Sequence, residues 1–355
     1  MSRRRAVWVS TSTGTLGGVA TYVRTMQRTP LWGEWDIRHV ATHRDGSVAT
    51  RVIVFLGGAT AFVRELLLHR PAVVHLHTAS YGSFARKSLL AWAARGARVP
   101  VVLHVHGGAF RDFYRAAPWL VRRYVRATLQ MADAVVALGE TWQRMLQEIS
   151  PGARVVVIPN AVRPGAPVEQ PGPGETVRVL FLGSIHEAKG AFLLLDAWRR
   201  LGDARRGPPA DLVMAGNGAV DEARAKVADL GLADQVRVTG WVPQRQVETL
   251  LRGSHVLVLP SFAEGQPMAL LEAMAQGLCV VASSVGGIPD LIDGECGVLV
   301  PPGDGDALVA ALCTVLADPE LRSRLGGRAL DRVRERFDVD RVWRAIDGLY
   351  EDVTA

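Results

Sequence analysis

The chain has 355 residues, 48% hydrophobic and 21% charged, a globular balance spread over more length than one ordinary core uses, and no apolar run reaches 18 residues, so no ordinary membrane-spanning helix is expected. The net charge of +6 is split: residues 1–163 hold 22 Lys+Arg against 8 Asp+Glu, so +14, and residues 164–355 hold 19 against 27, so −8. A basic front half draws an anionic partner, either a membrane surface, nucleic acid or a phosphorylated acceptor.

The basic start, "MSRRRAVWVS", lacks an apolar stretch of signal length, and three cysteines (Cys279, Cys296, Cys313) lie far apart without CxxC spacing. Both features fit a reducing cytoplasm. Strands are expected at 6–9, 73–77, 99–106, 134–138 and 155–158. After the first comes "TGTLGGVATYV". Glycines at a strand-to-helix turn let backbone N–H groups approach a phosphate, and Gly17 and Gly18 open that helix; an ordinary tight turn is the other reading. The apolar run 52–63, broken by Gly57 and Gly58, reads as a buried helix or a surface segment.

Two His-x-His pairs, His75/His77 and His104/His106, end strands with both members on one face. Such pairs ligate zinc or simply line a cleft. His106 precedes Gly107-Gly108, where a loop leaves the strand. Then "RDFYRAAPWLVRRYVRATL" spaces Arg111, Arg115, Arg122 and Arg126 on one helical face, provided Pro118 does not break it. Basic residues among aromatics suit either a membrane surface or plain solvent. No nucleic-acid recognition motif accompanies the charge, so nucleic acid is not expected.

A Pro/Gly-rich linker is expected at 164–175, and a second series of strands follows at 177–182, 211–215, 236–239, 256–259, 280–282 and 297–300. Helical runs lie between them at 191–201, 223–230 and 267–276. Alternating strands and helices imply parallel sheets, and ligands bind at the carboxyl ends of such strands. Only three lysines occur, Lys87, Lys189 and Lys226, in a chain that otherwise uses arginine. Lys189 sits beside a helix start, which suits a phosphate. "MAGNG" (Asn217) and "GWVPQ" (Val242) end two more strands in open backbone. In "SFAEGQPMALLEAMAQG", Glu264 precedes a helix start at Gly265, Gln266 and Pro267, and Glu272 lies over one turn inside. The helix start suits a phosphate, and each carboxylate suits sugar hydroxyls on either flank.

Taken in order, "GGV", "HVHGG", "VIPNAV", "FLGSIHEAKG", "MAGNG", "GWVP", "PSFAEGQPMALLEAMAQG" and "VGGIPDLI" resemble the retaining glycosyltransferases of family 4 along nearly the whole chain. That resemblance implies an α/β protein of GT-B architecture, two Rossmann-like doubly wound domains facing a cleft. The expected division is an acceptor-side domain over 1–163, the linker, and a nucleotide-sugar domain over 176–338. A last helix within 339–355 packs back on the first domain. The implied reaction moves a hexose-type sugar from a nucleoside diphosphate sugar, UDP in this reading, to an acceptor with retained configuration and no required metal or cofactor. The acceptor reading is a lipid-linked or anionic saccharide at the inner face of the membrane. A nucleotide-sugar epimerase of the same architecture, or a transferase for small natural products, is the alternative.

By the same resemblance Glu272 binds the ribose hydroxyls, and Glu264 contacts the donor sugar beside the backbone of Gly265, Gln266 and Pro267. Lys189 neutralises the diphosphate, which Gly17 and Gly18 approach from the other domain. Val242 meets the base, Asn217 and Ser184 belong to the donor side, and His106 touches the sugar near its reacting carbon. His77, Arg111, Arg115, Arg122 and Arg126 fall on the acceptor or membrane side. Two positions depart from the family's pattern: Ser184 stands where an arginine is common, and Arg163 where an acidic residue is frequent. "GDGD" (Asp304, Asp306) mimics an Asp-x-Asp metal site but precedes a helix, where Asp caps.

Overall fold

The computed structural model describes residues 4–172, 174–204 and 207–355, and the chain divides into two units, one of residues up to Ala161 with Val339–Ala355 and one of Val162–Asp338. In the first, β1 (Ala6–Ser10), β2 (Arg38–Ala41), β3 (Val73–Thr78), β4 (Val101–Val105), β5 (Ala134–Ala137) and β6 (Val155–Val157) form one sheet in the order β2-β1-β3-β4-β5-β6. All its pairs are parallel. β1, β3, β4 and β5 are buried throughout, which is why they read as continuous apolar runs rather than alternating ones. β2 escapes sequence reading because "RHVA" is a short edge strand with Arg38 exposed. The chain leaves β1 toward β2, then returns past β1 to β3 and onward. The connection therefore reverses between β1 and β3, and a crevice opens there at the strands' carboxyl ends.

The run 52–63 lies in an exposed helix, Val48–Arg64, that continues into a π-helical turn, Glu65–His69. Ser47 caps it by accepting a hydrogen bond from the Thr50 N–H. Gly58 seats it: a Cβ there would lie 2.3 Å from the Ala41 carbonyl oxygen, so only glycine permits this approach to the end of β2. By length and composition alone, the segment Val48–His69 is long and apolar enough to cross a membrane. It holds no uninterrupted apolar run of that length, because Arg51, Arg64 and Glu65 break it.

Pro118 does break the arginine face. Ala117 is extended (φ −74°, ψ 143°), as a residue before proline prefers, and separates helix Phe110–Ala116 from helix Trp119–Met131. Arg111 and Arg115 thus sit on one helix, Arg122 and Arg126 on another. The C-terminal helix, Val339–Thr354, is held within the first unit by two indole donors. The Trp8 Nε1–H donates to the Tyr350 hydroxyl (2.6 Å) and the Trp35 Nε1–H to Asp347 Oδ1 (2.7 Å).

In the second unit, β7 (Val177–Leu182), β8 (Ala210–Ala215), β9 (Val236–Gly240), β10 (Val256–Leu259), β11 (Cys279–Ser283) and β12 (Val298–Val300) run in the order β12-β11-β10-β7-β8-β9, again all parallel. Its reversal falls between β7 and β10. The Pro/Gly-rich segment 164–175 is not a free connection here. The Gly165 N–H donates to the Ala275 carbonyl (2.7 Å) and the Val168 N–H to that of Gln276 (2.9 Å), tying it to the end of helix Met268–Met274. That helix is shorter than expected, since Pro267 stands outside it with an extended ψ of 121°. Arg322, fully buried, spends Nη1 on the last carbonyls of helix Gly305–Ala317 (Val315, 2.8 Å; Leu316, 2.9 Å) and Nε on Gln170 (3.0 Å). Asp304 caps the same helix by accepting from the Ala307 N–H, and Asp306 pairs with Arg200.

Candidate active site

The second unit's crevice is built where β7 and β10 end. β10 runs into Pro260-Ser261, and the loop beyond it carries Glu264. β7 runs into Gly183-Ser184 and then a short turn, Glu187–Lys189, closed by Gly190 in the left-handed region (φ 68°). A Cβ on Gly190 would lie 2.0 Å from the Pro260 carbonyl oxygen, so the two loops meet backbone to backbone. The Phe262 N–H donates to the Ala188 carbonyl (2.9 Å) and fixes the pairing.

This contact brings Lys189 and Glu264 together. The Lys189 ammonium donates to Glu264 Oε1 at 2.6 Å, and the Ser261 hydroxyl donates to the same oxygen at 2.8 Å. Glu264 is 6% exposed and the Lys189 side chain 31%, so the carboxylate sits below and the ammonium at the mouth. Gly286 (φ 55°) holds the loop from behind, since a Cβ there would fall 1.8 Å from the Glu264 carbonyl oxygen. The Gly287 N–H donates to the Gly265 carbonyl (3.0 Å), and Gly265, Gln266 and Pro267 are buried. Sequence spacing gave no sign of the Lys189–Glu264 pair, because 75 residues separate the partners.

The other donor-side residues form two further groups. The Ser184 hydroxyl donates to Asn217 Oδ1 (2.9 Å), and the Ile185 N–H donates to the Asn217 carbonyl (2.6 Å). Ser184 therefore ties the exit of β7 to that of β8 and does not supply the cation an arginine would. Glu272 is half-buried and accepts from the Gln244 amide at 3.4 Å. Gln244 begins the helix after Trp241-Val242-Pro243, so the loop bearing Val242 and the carboxylate of Glu272 lie side by side.

In the first unit, four imidazoles stack beneath the carboxyl ends of β3 and β4. His77 Nδ1 and His106 Nε2 are 2.9 Å apart, His75 Nε2 and His104 Nδ1 3.2 Å, and His75 Nδ1 and the Tyr350 hydroxyl 2.5 Å. Burial drives His75 down to about 3, and His77 and His104 well below their ordinary value; neighbouring histidines add to each shift. Burial also lowers His106, with the Asn160 side chain opposing it. All four are neutral at pH 7.

A ring nitrogen from each of His75, His77 and His104 lies within 4.8 Å of the others, close enough to suggest a metal. Their rings are stacked, with interplanar angles of 13° and 21° for His75 against His77 and His104. Of their ring nitrogens, His77 Nε2 and His104 Nε2 are buried with no hydrogen-bond partner.

Gly17 (φ 122°) precedes helix Gly18–Met26, and no atom lies within 4 Å of where its Cβ would stand. Of the four arginines, Arg111 pairs with Glu148 (3.0 Å), Arg126 Nε donates to the Tyr114 hydroxyl (2.6 Å), and Arg115 and Arg122 are exposed. They do not form one face.

Two family models cover the chain in succession: one described as Glycosyltransferase Family 4 matches residues 18–165, and one described as Glycosyl transferases group 1 matches 176–318. A phosphatidyl-myo-inositol mannosyltransferase of Mycolicibacterium smegmatis is 32% identical over 289 residues, 79% of this chain and 71% of that protein. A D-inositol 3-phosphate glycosyltransferase of Corynebacterium glutamicum is 27% identical over 341 residues, covering 86% and 78%. Among solved structures, sucrose-phosphate synthase from Thermosynechococcus elongatus superposes with a TM-score of 0.81 at 20% identity over 99% of both chains. HepE of Anabaena in complex with UDP and glucose gives 0.75 at 18% identity, over 98% of this chain and 100% of that one.

Proposed function

This chain belongs to glycosyltransferase family 4, a family of GT-B proteins, and from that premise we propose that it moves a hexose-type sugar from a nucleoside diphosphate sugar, UDP foremost, to an acceptor with retention of configuration. The observation that carries the proposal is the convergence of Lys189 and Glu264 at the β7/β10 reversal, where a doubly wound sheet binds its ligand. Lys189 stabilises the charge on the departing diphosphate, Glu264 holds the sugar, and Glu272 holds the ribose, with Val242 at the base. His106, neutral, contacts the transferred sugar. In the front-face course the departing phosphate takes the acceptor's proton, so neither a strong base nor a metal is required. Nucleoside diphosphate release should therefore depend on acceptor and survive EDTA. Loss of activity on chelation, restored by a divalent cation, would contradict the metal-free part.

The acceptor in this reading is lipid-linked or anionic, met at the inner face of a membrane. Support comes from the helix Val48–Arg64 and its π-helical turn. They present Ile53 (69% exposed), Leu56, Val63 and Leu67 (70%) to solvent, while Trp119 and Leu120 are exposed on helix Trp119–Met131. Large apolar side chains gathered in solvent on one helix mark an interaction surface. Residues 46–132 hold 12 Lys+Arg and 2 Asp+Glu, which complements anionic headgroups. Vesicles containing anionic lipid should sediment the protein, neutral vesicles far less, and Ile53→Ser/Leu56→Ser/Leu67→Ser should reduce binding by at least about tenfold. Equal binding by the triple variant would overturn this surface.

A further inference from the structure

His77 is 2% exposed, so it does not meet an acceptor or a membrane as the resemblance implies. Its Nδ1 faces His106 Nε2 at 2.9 Å instead. The strands bring the two together. β3 and β4 pair with His77 opposite His104, and the His106 N–H donates to the Thr78 carbonyl (2.8 Å), which carries the ladder one residue past β4. The rings make a two-by-two stack. His75 lies on His77 (centroids 4.5 Å apart) and His104 on His106 (4.1 Å), and each ring is hydrogen-bonded to one on the neighbouring strand.

The two hydrogen-bonded pairs differ. The lower pair is fixed from outside. The Trp8 indole can only donate, so it fills a lone pair of Tyr350, whose own proton goes to His75 Nδ1. His75 then carries its proton on Nε2 and donates to His104 Nδ1. The upper pair, His77 and His106, has one proton between its two facing nitrogens, because both imidazoles are neutral at pH 7. The tautomer of His77 therefore dictates that of His106, and the bond restrains the tilt of the His106 ring.

This is an expensive way to fill a core. His77 Nε2, His104 Nε2 and the Tyr22 hydroxyl, whose ring packs on both histidines, are buried without a hydrogen-bond partner. Aliphatic side chains would fill the same space and strand no polar atom. Of the four histidines only His106 is partly open, at the carboxyl end of its strand. We propose that His77 is a positioning residue, which holds the tautomer and orientation of His106 as that ring meets the transferred sugar. The role rests on the glycosyltransferase reading; the bond itself does not. A ring free to turn or to exchange its proton presents the sugar with several faces, and a preorganised ring presents one. The bond also withholds His106 Nε2 from acid–base work, which agrees with a course in which the departing phosphate takes the acceptor's proton.

Three variants of the full chain separate positioning from packing. His77→Asn keeps a polar atom near the place of Nδ1, whereas His77→Gln moves it toward the place of Nε2. We expect His77→Gln to lower kcat for sugar transfer at least about tenfold with UDP affinity within about twofold, and His77→Asn to stay within about threefold of the parent. Tyr350→Phe strips the lower pair of its donor. It should lower the melting temperature and shift the ring nitrogens of His75 and His104, yet keep kcat within about twofold. Equal kcat in His77→Asn and His77→Gln would overturn the proposal. So would a fall in Tyr350→Phe as large as that in His77→Gln, since the cluster would then act through packing alone.

Nitrogen-15 spectra of histidine-labelled protein read the tautomer without any turnover. In the parent and in His77→Asn, His106 should show one protonated and one bare ring nitrogen. In His77→Gln the two should move toward a common average. A His106 already averaged in the parent overturns the role of His77 and leaves sugar transfer untouched. A locked His106 in a parent that transfers no sugar removes instead the reading on which the role depends, and the role with it. One equivalent of zinc in the purified protein, held by these rings, would replace the hydrogen bonds with ligand bonds and overturn the proposal as well.

Discussion

Lys189→Ala is expected to lower kcat/KM by about 10²–10³-fold, the loss that follows removal of one preorganised donor to a developing negative charge. It should also destabilise the fold. Glu264 is 6% exposed, and without the ammonium 2.6 Å away it keeps only the Ser261 hydroxyl among the partners that hold Oε1. Stranding a buried carboxylate costs several kcal/mol in full burial; with Lys189 about one-third exposed, water enters and about 1–3 kcal/mol is expected. These two effects are separable. Lys189→Ala/Glu264→Gln removes the stranded charge while leaving an amide for Ser261, so urea midpoints should recover, and activity should stay at least about tenfold below that of Glu264→Gln alone. Recovered midpoints with activity equal to that of Glu264→Gln would mean that Lys189 serves the fold and not the chemistry.

The second large effect is expected at Glu272. Its carboxylate is half-buried, and the Gln244 amide beside the Val242 loop donates to it at 3.4 Å. Two ribose hydroxyls donating to it contribute about 1.5 kcal/mol each, so Glu272→Ala should weaken UDP binding by about 10²-fold. Thermal stability without ligand should hardly change. Glu264→Ala, by contrast, should keep most of the melting-temperature rise given by UDP and lose the increment added by the sugar of a UDP-sugar, since ligand stabilisation follows affinity by mass action. Identical behaviour of the two variants would dissolve this division of labour.

Much of this site is visible in the sequence because short-range chemistry writes it. Glu264, Gly265, Gln266 and Pro267 stand together, and Glu272 follows within a helix, so their neighbourhood is fixed by a few backbone angles. The buried strands declare themselves as Val-rich runs for the same reason: both faces are covered. What the sequence hides depends on distant approach. The Lys189–Glu264 pair exists because Gly190 lets one loop touch Pro260, and neither partner advertises the other. Ser184 looks like a missing arginine until its bond to Asn217 shows a structural task at that position. Lys87 looks like chance among the arginines, and its near-complete burial is not written in its sequence neighbours. The arginine face fails for a local reason that was legible, the extended residue that Pro118 imposes on Ala117.

The most direct test of the whole account is a proton NMR time course with a UDP-hexose, acceptor and enzyme in EDTA, read at the anomeric positions before any equilibration. The account predicts that the first product carries the donor's anomeric configuration, that UDP appears in step with it, and that neither forms without acceptor. An inverted product, or acceptor-free conversion of the donor to its epimer, would contradict it.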